Sequence, residues 1–144
     1  MSDIQQRKEI LTLVKELAYY FEKAKDDLCS PYGLSTIQST ILIDVFNNEG
    51  TRVTGICKRL HKSTNTISPL INRLESHGFL VKKVGVPDKR VANVYLTEKA
   101  HKIMIDLSNE INKFTWPMFD QLSDEETKEV INSLRLLKKV TEGC

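Results

Sequence analysis

Apolar residues recur at intervals of three and four over most of the chain, which is the spacing of one face of a helix. In the first stretch, about residues 3–28, they form a heptad-like series: Ile10, Val14, Leu17, Phe21, Ala24 and Leu28. A series with this spacing suits packing along a second helix. Pro31 and Gly33 then interrupt the chain. The pattern predicts a long first helix that packs along another helix.

Two shorter helices are predicted next from their capping residues. Ser35 and Gln38 form a capping box, in which each side chain accepts a hydrogen bond from a backbone N–H at the start of a helix. This helix is expected to end within residues 47–50. A third helix is predicted near residues 54–60, with Thr54 as its N-cap.

The segment STNTISPLINRLESHGF, residues 63–79, predicts a fourth helix with an unusual polar face. Its apolar positions lie on one face: Ile67, Leu70, Ile71 and Leu74. The opposite face carries short neutral side chains in place of Glu and Lys: Asn65, Ser68 and Asn72. Ser63 or Thr64 is the expected N-cap, and Pro69 falls within the first two turns. Gly78 is placed to end the helix in a left-handed conformation.

The remaining pattern predicts a hairpin and two long helices. The segments FLVKKV (79–84) and VANVYL (91–96) read as two strands, joined by a turn that contains Gly85, Pro87 and Asp88. Thr97 is the expected cap of a long helix that ends or kinks at Pro117. Ser123 opens a last helix with a second capping box.

The composition is that of a globular protein. With 144 residues, 40% hydrophobic and 28% charged, the chain is most simply one domain. Its apolar runs are shorter than the roughly 18 residues that a membrane helix needs, and its N-terminus lacks the apolar core of a signal peptide. We therefore expect a cytoplasmic protein that does not associate with membranes.

The positive charge is concentrated in one part of the chain. Residues 52–90, called the basic stretch below, contain nine Lys and Arg but only two acidic residues, a net charge of +7. Because the whole chain carries +2, the rest carries −5. A positive surface on an otherwise acidic protein is typical of proteins that bind polyanions such as nucleic acid.

A short helix, a tight turn and a second helix together form a helix-turn-helix, whose second helix can enter the DNA major groove. The hairpin directly after it makes this a winged helix-turn-helix. Short polar side chains suit base edges in a groove, since Asn can pair with adenine and Ser or Thr can bind several bases. An Arg at the hairpin tip can enter a narrow minor groove, where the negative potential is strongest.

In its helix-turn-helix and its hairpin, the sequence resembles the MarR-type winged-helix transcription regulators. The segment VPDKRVANVYLTEKA is similar to that family's wing motif, and the matching residues are Asp88, Arg90, Leu96 and Thr97. Ala100 stands where the family usually has Gly. The segment TGICKRLHKSTNTISPLINRLESHGFL is similar to the family's helix-turn-helix, with matches at Leu60, Ser63, Thr66, Leu74, Glu75, Gly78 and Leu80.

The resemblance implies a mainly α fold with a small β-hairpin wing, in a single domain of residues 1–144. The winged core would cover about 35–97, and dimerisation helices about 3–29 and 98–142. The chain would be a homodimer on a double-stranded, pseudo-palindromic operator, with recognition helices roughly 34 Å apart. It would act as a repressor that a small effector releases. The heptad-like first helix favours a dimer independently.

Candidate DNA contacts follow from the two motifs. In the recognition helix they are Ser63, Thr64, Asn65, Thr66, Ser68, Pro69, Asn72 and Arg73, of which Arg73 is expected on phosphate. In the wing they are Lys82, Lys83, Asp88, Lys89 and Arg90. Arg90 would enter the minor groove, and Asp88 is placed to orient it by an ion pair.

The signal that releases DNA is open between alternatives. The segment TISPLINRLE is similar to the organic hydroperoxide-sensing branch of the family, but Leu11 occupies the position of that branch's sensor cysteine. A variant that uses Cys29, near Tyr32, stays possible if that thiol is accessible. Cys57 is expected to pack in the core, and Cys144 is not expected to be a switch.

A metal or a small molecule are the other candidate signals. Positions aligned with the family's zinc ligands hold residues that cannot bind zinc: Thr40, Leu107 and Ile111. We expect no metal and no cofactor. A small aromatic or amphipathic effector is the default, with Tyr19, Tyr20 and Tyr32 as candidate pocket residues.

A protein-interaction module and an enzyme are the alternative classes of function. A winged helix can serve as a protein-interaction module without binding DNA, although the charge of the basic stretch argues against that. An enzyme would need a nucleophile paired with a base, a phosphate-binding glycine loop or paired carboxylates. The sequence contains no such arrangement, so we expect no catalytic activity.

Overall fold

The computed structural model describes residues 2–85, 88 and 90–144 of the chain. The α-helices are α1 (Asp3–Cys29), α2 (Thr36–Asn47), α3 (Val53–Leu60), α4 (Thr64–Ser76), α5 (Glu98–Phe119) and α6 (Asp124–Glu142). The strands are β1 (Thr51–Arg52), β2 (Leu80–Val84) and β3 (Ala92–Leu96), and a short 3₁₀ helix (Ser30–Tyr32) follows α1. The predicted fold class, mainly helical with a β-hairpin wing, is confirmed. Among the described residues, no helix has the combined length and apolarity that crossing a bilayer requires.

Helix starts agree with the capping pattern. Ser35 Oγ accepts from the backbone N–H of Gln38, and Gln38 Oε1 accepts from the N–H of Ser35, at 3.3 and 3.0 Å. The predicted capping box at Ser123 is also present. Thr97 Oγ1 accepts from the N–H of Ala100 at 3.1 Å, which caps α5. These caps satisfy backbone donors that lack a partner within the helix.

The start of α3 and one strand differ from the prediction. The N-cap of α3 is Arg52 rather than Thr54, and it makes no side-chain capping hydrogen bond. The reason is β1, which the sequence pattern did not predict: Thr51 pairs with Val94 and Arg52 with Asn93. Pairing with β3 holds residue 52 in an extended conformation, and the helix begins immediately afterwards.

The pattern predicts that α5 ends or kinks at Pro117, and the first of these alternatives is wrong. The helix runs two residues further, to Phe119, with Pro117 inside it. Pro69 likewise lies inside α4, at the sixth residue of the helix. So early in a helix, a missing backbone N–H removes few intrahelical hydrogen bonds.

The chain divides into two compact units, residues Met1–Ser108 and Asn109–Cys144. The first contains the three-stranded antiparallel sheet, in the order β1-β3-β2, with Leu80 opposite Leu96. The most deeply buried apolar side chains of its core are at most 1% exposed and come from four helices and two strands: Ile41, Leu42, Val45, Ile56, Ile67, Ile71, Leu74, Leu80, Val94 and Ala100. The second unit consists of the end of α5 and all of α6.

A polar contact links α2, α3 and β1 in the first unit. Arg59 Nε and Nη2 donate to the two carboxylate oxygens of Asp44 at 2.8 and 2.9 Å. Nη2 also donates to Thr51 Oγ1 at 2.7 Å. Asp44 is only 9% exposed, and its carboxylate raises the pKa of Arg59 above the ordinary value through these hydrogen bonds. The pair holds the first helix of the helix-turn-helix against α2.

We expect Arg59→Met to lower the free energy of unfolding by about 1–3 kcal/mol, because it leaves the Asp44 carboxylate buried without its donors. Urea unfolding at neutral pH measures the change. Arg7→Met is the control, since Arg7 pairs with Asp3 where both side chains are more than 70% exposed. Such a pair contributes less than about 0.5 kcal/mol. Equal losses for the two variants would contradict the structural role of Asp44.

Candidate nucleic-acid interface

The helix α4 buries one face and exposes the other. Ser63 is its N-cap, and Ser63 Oγ accepts from the N–H of Thr66 at 3.3 Å. The buried side chains are Ile67, Ile71 and Leu74. Asn65 and Asn72 are exposed and Ser68 is half-buried on the other side. These three side chains are called the recognition face below. The rest of the predicted contact set on α4 is exposed: Thr64, Thr66, Pro69 and Arg73.

A tight turn sets α3 against α4. His61 ends α3 with φ of +54°, in the left-handed region that residues other than Gly rarely adopt. Cys57, on α3, packs against the core and lies half-buried, with its Sγ 3.8 Å from Thr64 Oγ1. Gly78 adopts φ of +79° after α4, as the pattern predicts.

The wing places an exposed arginine beside an acidic partner. Arg90 is 90% exposed and donates from Nε and Nη2 to the two carboxylate oxygens of Asp88, at 3.1 and 3.2 Å. Its backbone N–H also donates to Asp88 Oδ1 at 3.0 Å. The expected ion pair is therefore present. The hydrogen bonds from Arg90 lower the pKa of Asp88, and the charge of Arg52 acts in the same direction.

A cleft of about 390 Å³ lies beside the wing and shows a residue that the sequence analysis missed. The lining residues are Arg52, Val53, Thr54, Arg90, Val91 and Ala92. Arg52 is exposed on β1. Its position in the basic stretch was the available signal, but its proximity to the wing depends on the pairing of β1 with β3. Two arginines thus line one concave surface.

The lysines of β2 are held by side chains within the protein. Lys82 Nζ donates to Asn72 Oδ1 at 2.5 Å and lies 3.9 Å from Glu75 Oε1. Lys83 Nζ lies 4.8 Å from the centre of the Tyr95 ring, a cation–π contact. Lys89, also predicted in the wing, lies outside the described residues.

The residues predicted to sense a signal differ widely in exposure. Cys29 is 2% exposed and lies in the hydrophobic core, so the accessible thiol on which the Cys29 alternative depends is not found at this residue. Tyr19 and Tyr20 are 70% and 47% exposed, and Tyr32 is 39% exposed. No group of three His, Cys, Asp or Glu side chains within the described part of the chain is arranged to hold a metal.

Comparison with known proteins agrees with this geometry. The family model for the transcriptional regulators SarA/Rot matches residues 23–107, which is more than half of the chain. The chain therefore belongs to the MarR-type winged helix-turn-helix transcriptional regulators, in the group that the SarA/Rot model describes. It is a DNA-binding regulator of transcription and not an enzyme, as predicted.

Individual relatives show how far the likeness extends. The HTH-type transcriptional regulator MgrA of Staphylococcus aureus is 30% identical over 109 residues, which are 76% of this chain and 71% of MgrA. Matches to other curated relatives span between 42% and 86% of the relative's own length.

Two solved structures have a similar fold. The S. aureus MepR–DNA complex has a TM-score of 0.73 at 20% identity, over 90% of this chain and 96% of that one. The S. aureus MarR in complex with salicylate and kanamycin has a TM-score of 0.83 at 16% identity, over 98% and 95%. At these identities the likeness concerns the fold.

The Asp88–Arg90 pair predicts a titration that depends on Arg90. In the folded protein the pKa of Asp88 should lie below the usual value of about 3.9, and Arg90→Gln should raise it. Because the pKa is lowered on folding, the pair stabilises the wing fully above the usual value and loses this effect as the pH falls through the lowered value. The chemical shift of the Asp88 carboxyl carbon, followed by NMR as a function of pH, gives this pKa in the wild-type protein and in Arg90→Gln.

Two further variants control this titration. Arg90→Lys keeps the charge without the two-pronged contact, so it should raise the pKa of Asp88 by a smaller amount. Lys83→Gln removes a wing charge that faces Tyr95, and this variant should leave the pKa of Asp88 nearly unchanged. An Asp88 pKa unaffected by Arg90→Gln would show that the pair is absent in solution.

Proposed function

We propose that the protein is a sequence-specific repressor that binds a pseudo-palindromic operator as a homodimer. The observation that carries this proposal is that two features occur together in the basic stretch. One is the recognition face, whose side chains are uncharged, and the other is Arg90, which is strongly exposed on the wing. Neutral polar groups suit base edges in the major groove, and Arg90 suits a narrow minor groove. Bound to its operator, such a dimer would exclude the transcription machinery in the cytoplasm.

We assign different roles to the contact residues. Asn65, Ser68 and Asn72 would read bases, because they are short and lie opposite the buried face of α4. Contacts to phosphate would come from the charged and capping residues around them: Ser63, Thr64, Thr66, Arg73, Lys83 and Arg52. Phosphate contacts position the protein, and base contacts select the sequence.

Exposed apolar residues on the first and last helices of the chain support a dimer. On α1 the heptad-like positions Ile10, Val14, Leu17 and Phe21 are 39–51% exposed. On α6, Val130, Ile131 and Leu134 are 41–56% exposed. Apolar positions with this spacing mark surfaces that pack against further helices. A second copy would cover them and place two recognition helices about one DNA turn apart.

Release by a small aromatic effector is the signal that we favour. Tyr19 and Tyr20 offer exposed rings on α1, and the structurally similar MarR is a complex with salicylate. A switch based on Cys29 has less support, since oxidation would need the core to open around that thiol.

Operator titration tests the DNA contacts. Binding should weaken steeply with salt, because Lys and Arg displace counterions from phosphate. Arg90→Ala should weaken binding to all sequences and reduce the slope of log affinity against log salt by about 1. Asn65→Ala should relax selection at one base pair, by about 1–3 kcal/mol if a two-pronged contact is lost.

The control for these variants is Lys138→Ala, which removes a charge on α6, outside the basic stretch. It should leave affinity and salt slope almost unchanged. A flat salt dependence, or equal affinity for operator and random duplex, would overturn the proposal.

A substitution on α1 tests the dimer. Leu17→Glu should yield a monomer in sedimentation velocity and lower operator affinity by at least about ten-fold, because it places a carboxylate in an apolar interface. Thr12→Glu introduces the same charge at an exposed position on another side of α1 and should leave the dimer intact. Dimers of unchanged stability in Leu17→Glu would exclude this face as the interface.

A further inference from the structure

A lysine on β2 holds one end of a side chain on the recognition face. Lys82 Nζ donates to Asn72 Oδ1 at 2.5 Å and lies 3.9 Å from Glu75 Oε1. The backbone N–H of Lys82 donates to Glu75 Oε2 at 3.2 Å. Both the backbone and the side chain of Lys82 are therefore tied to α4, and the Lys82 side chain is 31% exposed.

This contact fixes the orientation of the Asn72 amide. A lysine ammonium has three donors and no acceptor, so the atom that faces it must be the amide oxygen. The Nδ2 group then points the other way. No described residue accepts a hydrogen bond from Nδ2 of Asn72, and the residue is exposed. Asn72 thus presents its Nδ2 donors to whatever approaches α4, while one of the two lone pairs of its oxygen is occupied by a cation.

Bases differ in what they can accept from such a group. Two-pronged pairing of Asn with adenine needs both halves of the amide, because the oxygen accepts from adenine N6 while Nδ2 donates to N7. With one lone pair of its oxygen bound to the Lys82 ammonium, whose charge also repels an approaching donor, Asn72 is a poor acceptor for adenine N6, while the contact of Nδ2 is unaffected. Guanine presents two acceptors, O6 and N7, and thymine presents O4.

We propose that Lys82 is a positioning residue that sets the base preference of Asn72, directing it to guanine or thymine and away from adenine. This inference rests on the proposed function, in which α4 lies in the major groove. Lys82 then acts through Asn72 rather than as one more phosphate contact of the wing. Glu75 assists because its carboxylate keeps the ammonium beside α4.

Selection of bound sequences from random duplex DNA tests the proposal. Asn72→Ala identifies the base pair that Asn72 reads, because selection there becomes weaker. At that position the wild-type protein should select guanine or thymine. Lys82→Met keeps the aliphatic stem but frees the amide oxygen, so the ratio of adenine to guanine should rise by about five-fold or more.

The matched control is Lys83→Met, on the next residue of β2. It removes the same charge, but its ammonium lies over the Tyr95 ring and not beside Asn72. It should reduce overall affinity as a charge loss does and leave the base preference unchanged. Lys82→Met combined with Asn72→Ala should show no shift beyond that of Asn72→Ala. Thermal melting establishes that each variant is folded, and Glu75→Gln serves as the second variant if Lys82→Met does not fold.

The outcomes separate this inference from the function on which it rests. A wild-type protein that selects no sequence overturns the proposed function and the inference with it. A clear operator overturns the inference alone in three cases: adenine is selected where Asn72 reads, Asn72→Ala weakens no position, or Lys82→Met leaves the preference unchanged. A shift towards adenine in Lys82→Met, absent in Lys83→Met, supports it.

Discussion

Ile67, Ile71 and Leu74 are at most 1% exposed, and their burial sets the rotation of α4 about its own axis. Each of the three buried aliphatic side chains contributes about 1.5–3 kcal/mol to folding, and together they outweigh the roughly 0.5–1.5 kcal/mol of a typical hydrogen bond by a polar side chain. Because successive residues of a helix are about 100° apart, this burial leaves Asn65 and Asn72 facing outwards. The orientation of the recognition face is therefore a consequence of core packing.

Acidic partners then restrict the direction of the charged groups around that face. The basic stretch has two acidic residues, Glu75 and Asp88, and each contacts a cation of the same stretch. Exposed ion pairs of this kind add little stability. Their effect is geometric, since Asp88 fixes the guanidinium of Arg90 and Glu75 keeps Lys82 beside α4. The two carboxylates lower the net positive charge of this surface, and they hold the side chains of Lys82 and Arg90 in defined positions.

The number of residues that separate two interacting groups decides whether the sequence predicts their contact. Capping and periodicity are local, so the sequence predicted the long helices to within a few residues of their ends. The Asp88–Arg90 pair joins residues two apart and was predicted as well. The strand β1 was missed because two residues show no periodicity, and Arg52 was missed with it. The contact of Lys82 with Asn72 spans ten residues and depends on where β2 passes α4, which no local pattern encodes.

The two-fold symmetry of a dimer would amplify the base preference that Lys82 imposes on Asn72. In a two-fold dimer every base pair read by one subunit has an equivalent in the other half-site, and the free-energy costs of well-separated mismatches are roughly additive. A preference of about five-fold at the position of one Asn72 would become about twenty-five-fold over a symmetric operator. One hydrogen bond within the protein, made to the oxygen that would accept from adenine, would then disfavour a class of operators without adding any contact to DNA.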